Sequence, residues 1–502
     1  MAAVIPIEAA RRPRVERPQF QFDSPDLFSF EDCFPGLHYL QKHEPGMVAR
    51  ARATFEDNRS FCQTHVRPLA LSSDRRLQAH PDEVATELLQ LAIKHRRFSR
   101  FVPTVFGGLG DGTAVGPMIA AEEIAAVDPG FVGVLSGHGL GMVALMLTAN
   151  VRLIDWFSRR TVESESGGRP FLIDCAITEP GAGTDMEETA LMPHAQMVSE
   201  AKRVPGGAVL NGRKCFISGG HFATHHLVIL PFDRSDPVGT GSLFVVPTDS
   251  EGFSLGKLEN KMGQKSGPAS ELVLEDCFVP DDMIAIDGAA FDESIVGALL
   301  DGVLGATRVY VGAWATGAAR GAFETALQFA KTHHVRGERV IDQQWAQEAL
   351  TNMMMNVHRA RATYMEALFA LMGAAGGGGA PGFINSTWFS AIYRSYPVSV
   401  VRQSEFVRRA LIRKRVQEQG ATGQRVQFYS SLAKVSCSDL AMETCHLAIE
   451  MMGAAGVRHE AGAEKLFRDA KLCQIFEGTN QLNRLHMFNQ FVARDVPGLE
   501  VF

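Results

Sequence analysis

Residues 171–185 read FLIDCAITEPGAGTD, and the fold turns on this stretch. Its first seven residues are a short apolar run of the kind a buried strand shows, and they lead straight into a Pro-Gly-Ala-Gly loop, Pro180 to Gly183. Such a loop can turn backbone N–H groups toward a ligand, although an ordinary tight turn has the same composition. Thr178 and Thr184 place one hydroxyl just before the loop and one just after it, each able to hydrogen-bond a ligand.

Working outward, further apolar runs follow at 226–232 (HLVILPF), 242–246 (SLFVV) and 271–279 (ELVLEDCFV), separated by turn residues. Residues 169–288 therefore read as a β domain. On its N-terminal side, 46–168 is helical in spacing, with Val84, Leu88 and Leu91 at i, i+4 and i+7. On the other side, 289–502 returns to helical texture, as in Phe323 and Leu327, then Leu440, Leu447 and Met451. The expectation is a mainly α protein with a central β domain. Residues 1–45, rich in Pro, Arg and Phe, read as an extended surface arm. The run GAAGGGGAPG at 373–382 is too glycine-rich for a helix and opens an insertion reaching about residue 430. That segment carries Arg394, Arg402, Arg408, Arg409, Arg413, Lys414, Arg415 and Arg425 against Glu405 and Glu418. A solvated helix face is the plain reading.

A chain of 502 residues exceeds one compact core, and 46% apolar with 21% charged residues is an ordinary globular composition. The net charge of -7 offers no broad basic field, so neither nucleic acid nor an anionic membrane is an expected partner. Eight cysteines without a CxxC pair or metal-ligand spacing fit reduced thiols, no disulfides and no metal. The N-terminal arginines lack an apolar stretch behind them, so a cytoplasmic location is expected. The uncharged run Pro129–Val151 is long enough to imitate a membrane span, but its five glycines and His138 read as a buried helix pair. A G-x-G-x-x-A match at Gly139–Ala144 lies in that run, without the strand-turn-helix setting of a dinucleotide site. No phosphate-binding P-loop, HExxH or G-x-S-x-G motif supports an NTPase or hydrolase.

Four ordered blocks resemble the acyl-CoA dehydrogenase family: AITEPGAGTD (176–185), NGRKCFISGG (211–220), KMGQKSGPASELVLEDCFVP (261–280) and RDAKLCQIFEGTNQLNR (468–484). VPTVFGGLG at 102–110 is a weaker match to the family's N-terminal block. The resemblance implies an N-terminal helical domain, a β-barrel-like middle domain and a C-terminal four-helix bundle. It further implies FAD as cofactor, an acyl-CoA substrate, an electron-transfer flavoprotein as electron acceptor, and a homotetramer or homodimer with FAD reaching across a subunit interface.

Carried over position by position, Ile177, Thr178, Phe216 and Ser218 match residues that hold the flavin ring. Thr184 matches a residue beside the thioester's pantetheine arm, and Arg308 an arginine near the active site. Gln344, Thr479 and Gln481 match FAD contacts across the interface. Glu477 matches the catalytic carboxylate that removes the α-proton, while the β-hydride passes to FAD. On spacing alone, Glu477 reads instead as an acid at a helix N-terminus. In some family members the base sits on an earlier helix, at the position held here by Thr307, which cannot serve.

Two stretches depart from the family pattern. His333 stands where the family has an arginine, so that contact falls either to Arg336 three residues on or, more weakly, to His333, and the glycine loop over FAD reads Glu450 to Gly456 with Gly453 retained and with Glu450 set to repel a pyrophosphate. His138, at the pocket floor, is either a satisfied buried histidine or a contact for a polar acyl group. The basic segment is expected to seal a subunit interface or to contact CoA phosphates. Two rival functions stay open: a flavin oxidase or monooxygenase on the same fold, and a nucleic-acid-binding relative.

Overall fold

The computed structural model describes residues 28–110, 114–291, 294–374, 408–410, 412, 421–496, 498, 499 and 501. Contacts divide the chain into two units, Met1–Val48 and Ala49–Phe502. In the first, two short helices, α1 (Phe30–Cys33) and α2 (Pro35–Leu40), replace the extended backbone expected there. Local chemistry explains the difference. The Ser29 hydroxyl accepts from the Asp32 N–H at 3.2 Å, and Pro35 presets the first turn of α2. Residues 1–27 of the expected arm lie outside the described residues.

The helix α3 (Pro45–Phe61) is followed by α4 (Arg67–Ala79), α5 (Thr86–Lys94), α6 (Val115–Ala125), α7 (Pro129–Leu147) and α8 (Val151–Ser166). The uncharged run becomes one long helix, α7, capped by Asp128, whose carboxylate accepts from the Gly130 N–H at 2.9 Å. Its glycines permit close approach. A Cβ on Gly137 would lie 2.4 Å from the Ser218 carbonyl oxygen, and one on Gly141 2.6 Å from that of Ile173. The Gly139–Ala144 match thus sits inside a helix that packs on the β domain.

The β domain holds two four-stranded sheets. One runs β1 (Ile173–Ala176), β4 (His225–Pro231), β5 (Gly241–Pro247), β8 (Ile284–Ile286), with β1 and β4 parallel. The other runs β2 (Glu200–Val204), β3 (Gly207–Ser218), β7 (Ala269–Pro280), β6 (Phe253–Leu258), all antiparallel. Leu210, Val228, Phe244 and Leu272 share a buried cluster to which both sheets contribute. The apolar runs read from the sequence became β1, β4, β5 and β7. Strand β3 alternates buried and exposed residues, a weaker signal than a continuous run.

A short helix, α9 (Pro237–Thr240), joins β4 to β5. The C-terminal part comprises α10 (Ile295–Thr332), a hairpin of β9 (His334–Val335) and β10 (Glu338–Arg339), then α11 (Gln344–Ala374), α12 (Ala421–Met452), α13 (Ala463–Leu472) and α14 (Asn480–Met487). Both α7 and α10 are long and apolar enough to cross a membrane, yet 72% and 67% of their most apolar windows are buried within the protein. Asp128, Lys465, Asp469 and Gln264 tie the three parts together: Lys465 Nζ lies 2.8 Å from Asp128 and 2.6 Å from Asp469, whose backbone carbonyl accepts from the Gln264 amide at 2.9 Å. All eight cysteines are buried.

Helix α11 extends into the glycine run as far as Ala374; the rest of 375–407 lies outside the described residues. Of the basic segment, Arg408 donates to the backbone carbonyls of Thr148 and Ala285, and Arg409 to that of Ala290. These two guanidinium groups are thereby engaged by their own chain, and Ile412 is buried in the core cluster with Leu145 and Val296. Arg394, Arg402, Arg413, Lys414 and Arg415 lie outside the described residues.

Candidate active site

The block RDAKLCQIFEGTNQLNR folds as α13, a turn and α14. Thr479 takes the N-cap of α14, its hydroxyl accepting from the Leu482 N–H at 3.3 Å. Glu477 is left free of that task, and both Glu477 and Gly478 adopt positive φ, 58° and 75°. For a glutamate this backbone costs roughly 1–3 kcal/mol and persists only when its surroundings hold it. Here they do. Arg308 Nε donates to the Glu477 carbonyl at 3.2 Å, Lys434 Nζ to the Gly478 carbonyl at 2.7 Å, and the Asn483 amide to the same Gly478 carbonyl at 3.0 Å. The consequence is an aimed side chain: the Thr307 hydroxyl on α10 donates to the Glu477 carboxylate at 2.6 Å. Thr307, the alternative position weighed from the sequence, thus supports the Glu477 carboxylate by hydrogen bond.

The electrostatics of this pocket are tightly balanced. Burial raises the pKa of Glu477, while the Thr307 hydrogen bond and the charges of Arg308 and Lys434 act in the opposite direction. Arg308 is fully buried; its Nη1 lies 3.4 Å from both the Gln427 and Ser431 oxygens, and its Nη2 lies 3.8 Å from Glu187 Oε2. Burial, then the neighbouring Glu477 charge, pushes Glu187 up to about 7, and burial brings Lys434 down to about 7. Sequence reasoning missed both residues. Glu187 could have been noticed as half of an acid pair directly after the 176–185 block; Lys434, on an unremarkable helix, offered no local signal.

Across from this loop, buried Lys214 on β3 donates to the Ile177 carbonyl at 2.8 Å and pairs with Glu179 at 2.9 Å, while Glu179 also accepts from the Val198 and Ser199 N–H groups. This fixes the 177–179 segment beside β3, where the Cys215 N–H donates to the Thr178 carbonyl at 2.9 Å. A bulge between Lys214 and Ile217 gives Phe216 a φ of 57° and turns its ring outward, 58% exposed. Ser218 is exposed two residues on, and neither its hydroxyl nor that of Thr178 has a partner among the described residues. An exposed ring flanked by unpaired hydroxyls suits a planar heteroaromatic ligand with polar edges. Thr184 opens the 3-10 turn Thr184–Glu187, which carries Glu187 toward the Glu477 loop.

Other candidates stand apart. Arg336 (φ 53°) is exposed at the hairpin tip, Gln344 is exposed at the start of α11, and Gly453 (φ 55°) follows α12. The 25 residues of α10 that follow Thr307 span roughly 38 Å at 1.5 Å each, so the hairpin lies far from Glu477. Gln481 is exposed in the first turn of α14. His138 is taken up in the α7–β1 contact: its Nδ1 accepts from the Ile173 N–H at 3.2 Å, and burial drives its pKa down to about 3, keeping it neutral. Asp74, His459 and Glu464 converge elsewhere, but Arg468 occupies them, at 2.7 Å from Asp74 and 2.6 Å from Glu464.

Comparison with known proteins matches residues 50–152 to the acyl-CoA dehydrogenase N-terminal domain, 175–277 to the middle domain, and 298–380 with 404–491 to the C-terminal domain. The protein named "Probable acyl-CoA dehydrogenase fadE25" of Mycobacterium leprae is 28% identical over 431 residues, covering 86% of this chain and 92% of its own. Butyryl-CoA dehydrogenase from Megasphaera elsdenii superposes with a TM-score of 0.67 at 22% identity, over 88% of this chain and 98% of that one. An acyl-CoA dehydrogenase from Bacillus anthracis complexed with FAD gives 0.68 at 23%, over 90% and 67%. Fold and domain matches together define an oxidoreductase built on three consecutive domains. The chain belongs to the acyl-CoA dehydrogenase family.

Proposed function

We propose that the protein carries out α,β-dehydrogenation of an acyl-CoA thioester, with FAD bound at Ile177, Thr178, Phe216 and Ser218 and Glu477 as the base. The observation that carries this reading is the Glu477 carboxylate, held at 2.6 Å by Thr307 on a loop whose positive-φ backbone is tied down by Arg308 and Lys434. A base of this kind must be aimed before it is basic, and the loop aims it. Glu477 takes the α-proton onto its carboxylate. Bound FAD supplies the acceptor for the β-hydride. The Glu477 backbone N–H is offered to the thioester oxygen, where negative charge develops as the α-proton leaves. Thr184 lines the path of the thioester's arm into the site.

Arg336, Gln344 and Gly453 lie too far along the bundle to serve the same FAD, so they are assigned to the cofactor of a neighbouring copy, which makes the active enzyme an oligomer. The exposed Trp345 and Met355 on α11 support an interface there. An electron-transfer flavoprotein is the proposed acceptor of the electrons. The test is anaerobic bleaching of the bound flavin by a panel of acyl-CoAs. Glu477→Gln is expected to retain flavin and bind acyl-CoA while bleaching at least ~10²-fold more slowly; unchanged bleaching refutes the reading.

A further inference from the structure

Besides Glu477, the site holds a second carboxylate that the reaction as described leaves unused. Glu187 reaches the Glu477–Gly478 loop from the end of the Thr184–Glu187 turn. A Cβ placed on Gly478 would lie 2.9 Å from its Oε2. That Oε2 is buried and has no hydrogen-bond partner among the described residues, and the Arg308 Nη2 beside it, 3.8 Å away, has none among them either. The charged groups acting on Glu187 come from three elements: Glu477 from the loop before α14, Arg308 from α10 and Lys434 from α12; Arg308 in turn faces Asp301 of α10 and Glu188, which pairs with His486 of α14 at 2.6 Å. Two carboxylates confined beside one arginine and one buried lysine repel each other when both are ionised.

We propose that Glu187 is a charge-compensating partner of Glu477, protonated while Glu477 is ionised and releasing its own proton to solvent when Glu477 receives the α-proton. This rests on Glu477 being the base. The order of ionisation follows from the surroundings. Glu477 has the Thr307 hydroxyl on its carboxylate and ionises first, and its charge then holds the proton on Glu187. When the substrate's Cα–H bond breaks and the proton settles on Glu477, that charge disappears, the Glu187 O–H ionises beside Arg308 and gives its proton to solvent, and the summed charge of the two carboxylates is unchanged. Glu187 acts through Glu477 and is a positioning residue, not a catalytic one.

The experiment is anaerobic mixing of the flavin-loaded enzyme with an acyl-CoA that bleaches it, in weak buffer with a pH indicator, across pH 6–8. With Glu187 half protonated near pH 7, wild type is expected to release on the order of half a proton per site bleached, rising toward lower pH. Glu187→Gln is expected to bleach while releasing essentially none, and to lose the step in its bleaching pH profile near neutrality. Release that persists in Glu187→Gln shows that the proton comes from another group and overturns the proposal. So does a wild type that bleaches without releasing a proton anywhere in the range, a result that needs no variant to fold. Failure of the base assignment looks different, because Glu477→Gln would then bleach like wild type.

Discussion

Replacing Thr307 by valine removes one hydroxyl, keeps the side chain's shape and isolates what the 2.6 Å bond to Glu477 contributes. The hydroxyl has one proton and two acceptors in reach, the Glu477 carboxylate at 2.6 Å and the Val303 carbonyl at 3.0 Å; the shorter, charge-assisted bond wins. A hydrogen bond to a charged group contributes about 1.5–3 kcal/mol. At about 1.4 kcal/mol per tenfold, that is a ten- to hundredfold change in how tightly Glu477 holds a proton. The sign is fixed by which form the bond favours. Thr307 stabilises the ionised carboxylate, so its loss raises the Glu477 pKa and leaves a smaller ionised fraction at any given pH. The assay is the rate of anaerobic flavin bleaching from pH 5.5 to 9, with flavin content as a check on folding. Thr307→Val is expected to shift the acid limb of the profile upward and to recover most of its rate at high pH, where the unsupported carboxylate ionises. A profile that stays in place would show the hydroxyl donating to Val303 and refute the assignment; a downward shift would refute the sign.

Two further substitutions probe the loop and the exposed Phe216 ring. Gly478→Ala places a Cβ 2.9 Å from Glu187 Oε2 and 3.2 Å from Asn483 Nδ2 at a φ of 75°. It should cost about 1 kcal/mol or more, lower the thermal midpoint by a few degrees, and slow bleaching at least ~10-fold by displacing Glu477; wild-type melting and bleaching together would show that the loop is not tight. Phe216→Ala removes a ring that is already 58% exposed. It should leave the melting of flavin-free protein within about 0.5 kcal/mol of wild type, while weakening flavin retention by roughly 2- to 10-fold, measured as fluorescence passing an ultrafiltration membrane. Equal retention would place the flavin elsewhere.

The sequence by itself determined the order of the architecture, helical then β then helical, because continuous apolar runs bounded by turn residues mark strands such as β1, β4, β5 and β7, and i, i+4 spacing marks helices such as α5 and α10. It also carried the family, since the blocks around Thr178, Phe216 and Glu477 are specific in order and content. It could not show the α1 and α2 helices, whose existence rests on a cap at Ser29 and a proline, nor that α7 is one helix whose glycines admit the β-domain backbone. The site was half legible. On spacing alone Glu477 read as an acid at a helix N-terminus, and only folding put Thr479 at the cap and turned Glu477 toward Thr307, 170 residues away in sequence. Glu187 and Lys434 escaped notice for the same reason: a carboxylate or an amine acquires an unusual proton affinity from what surrounds it in space, and burial beside Arg308 and Glu477 is a property of the tertiary structure alone.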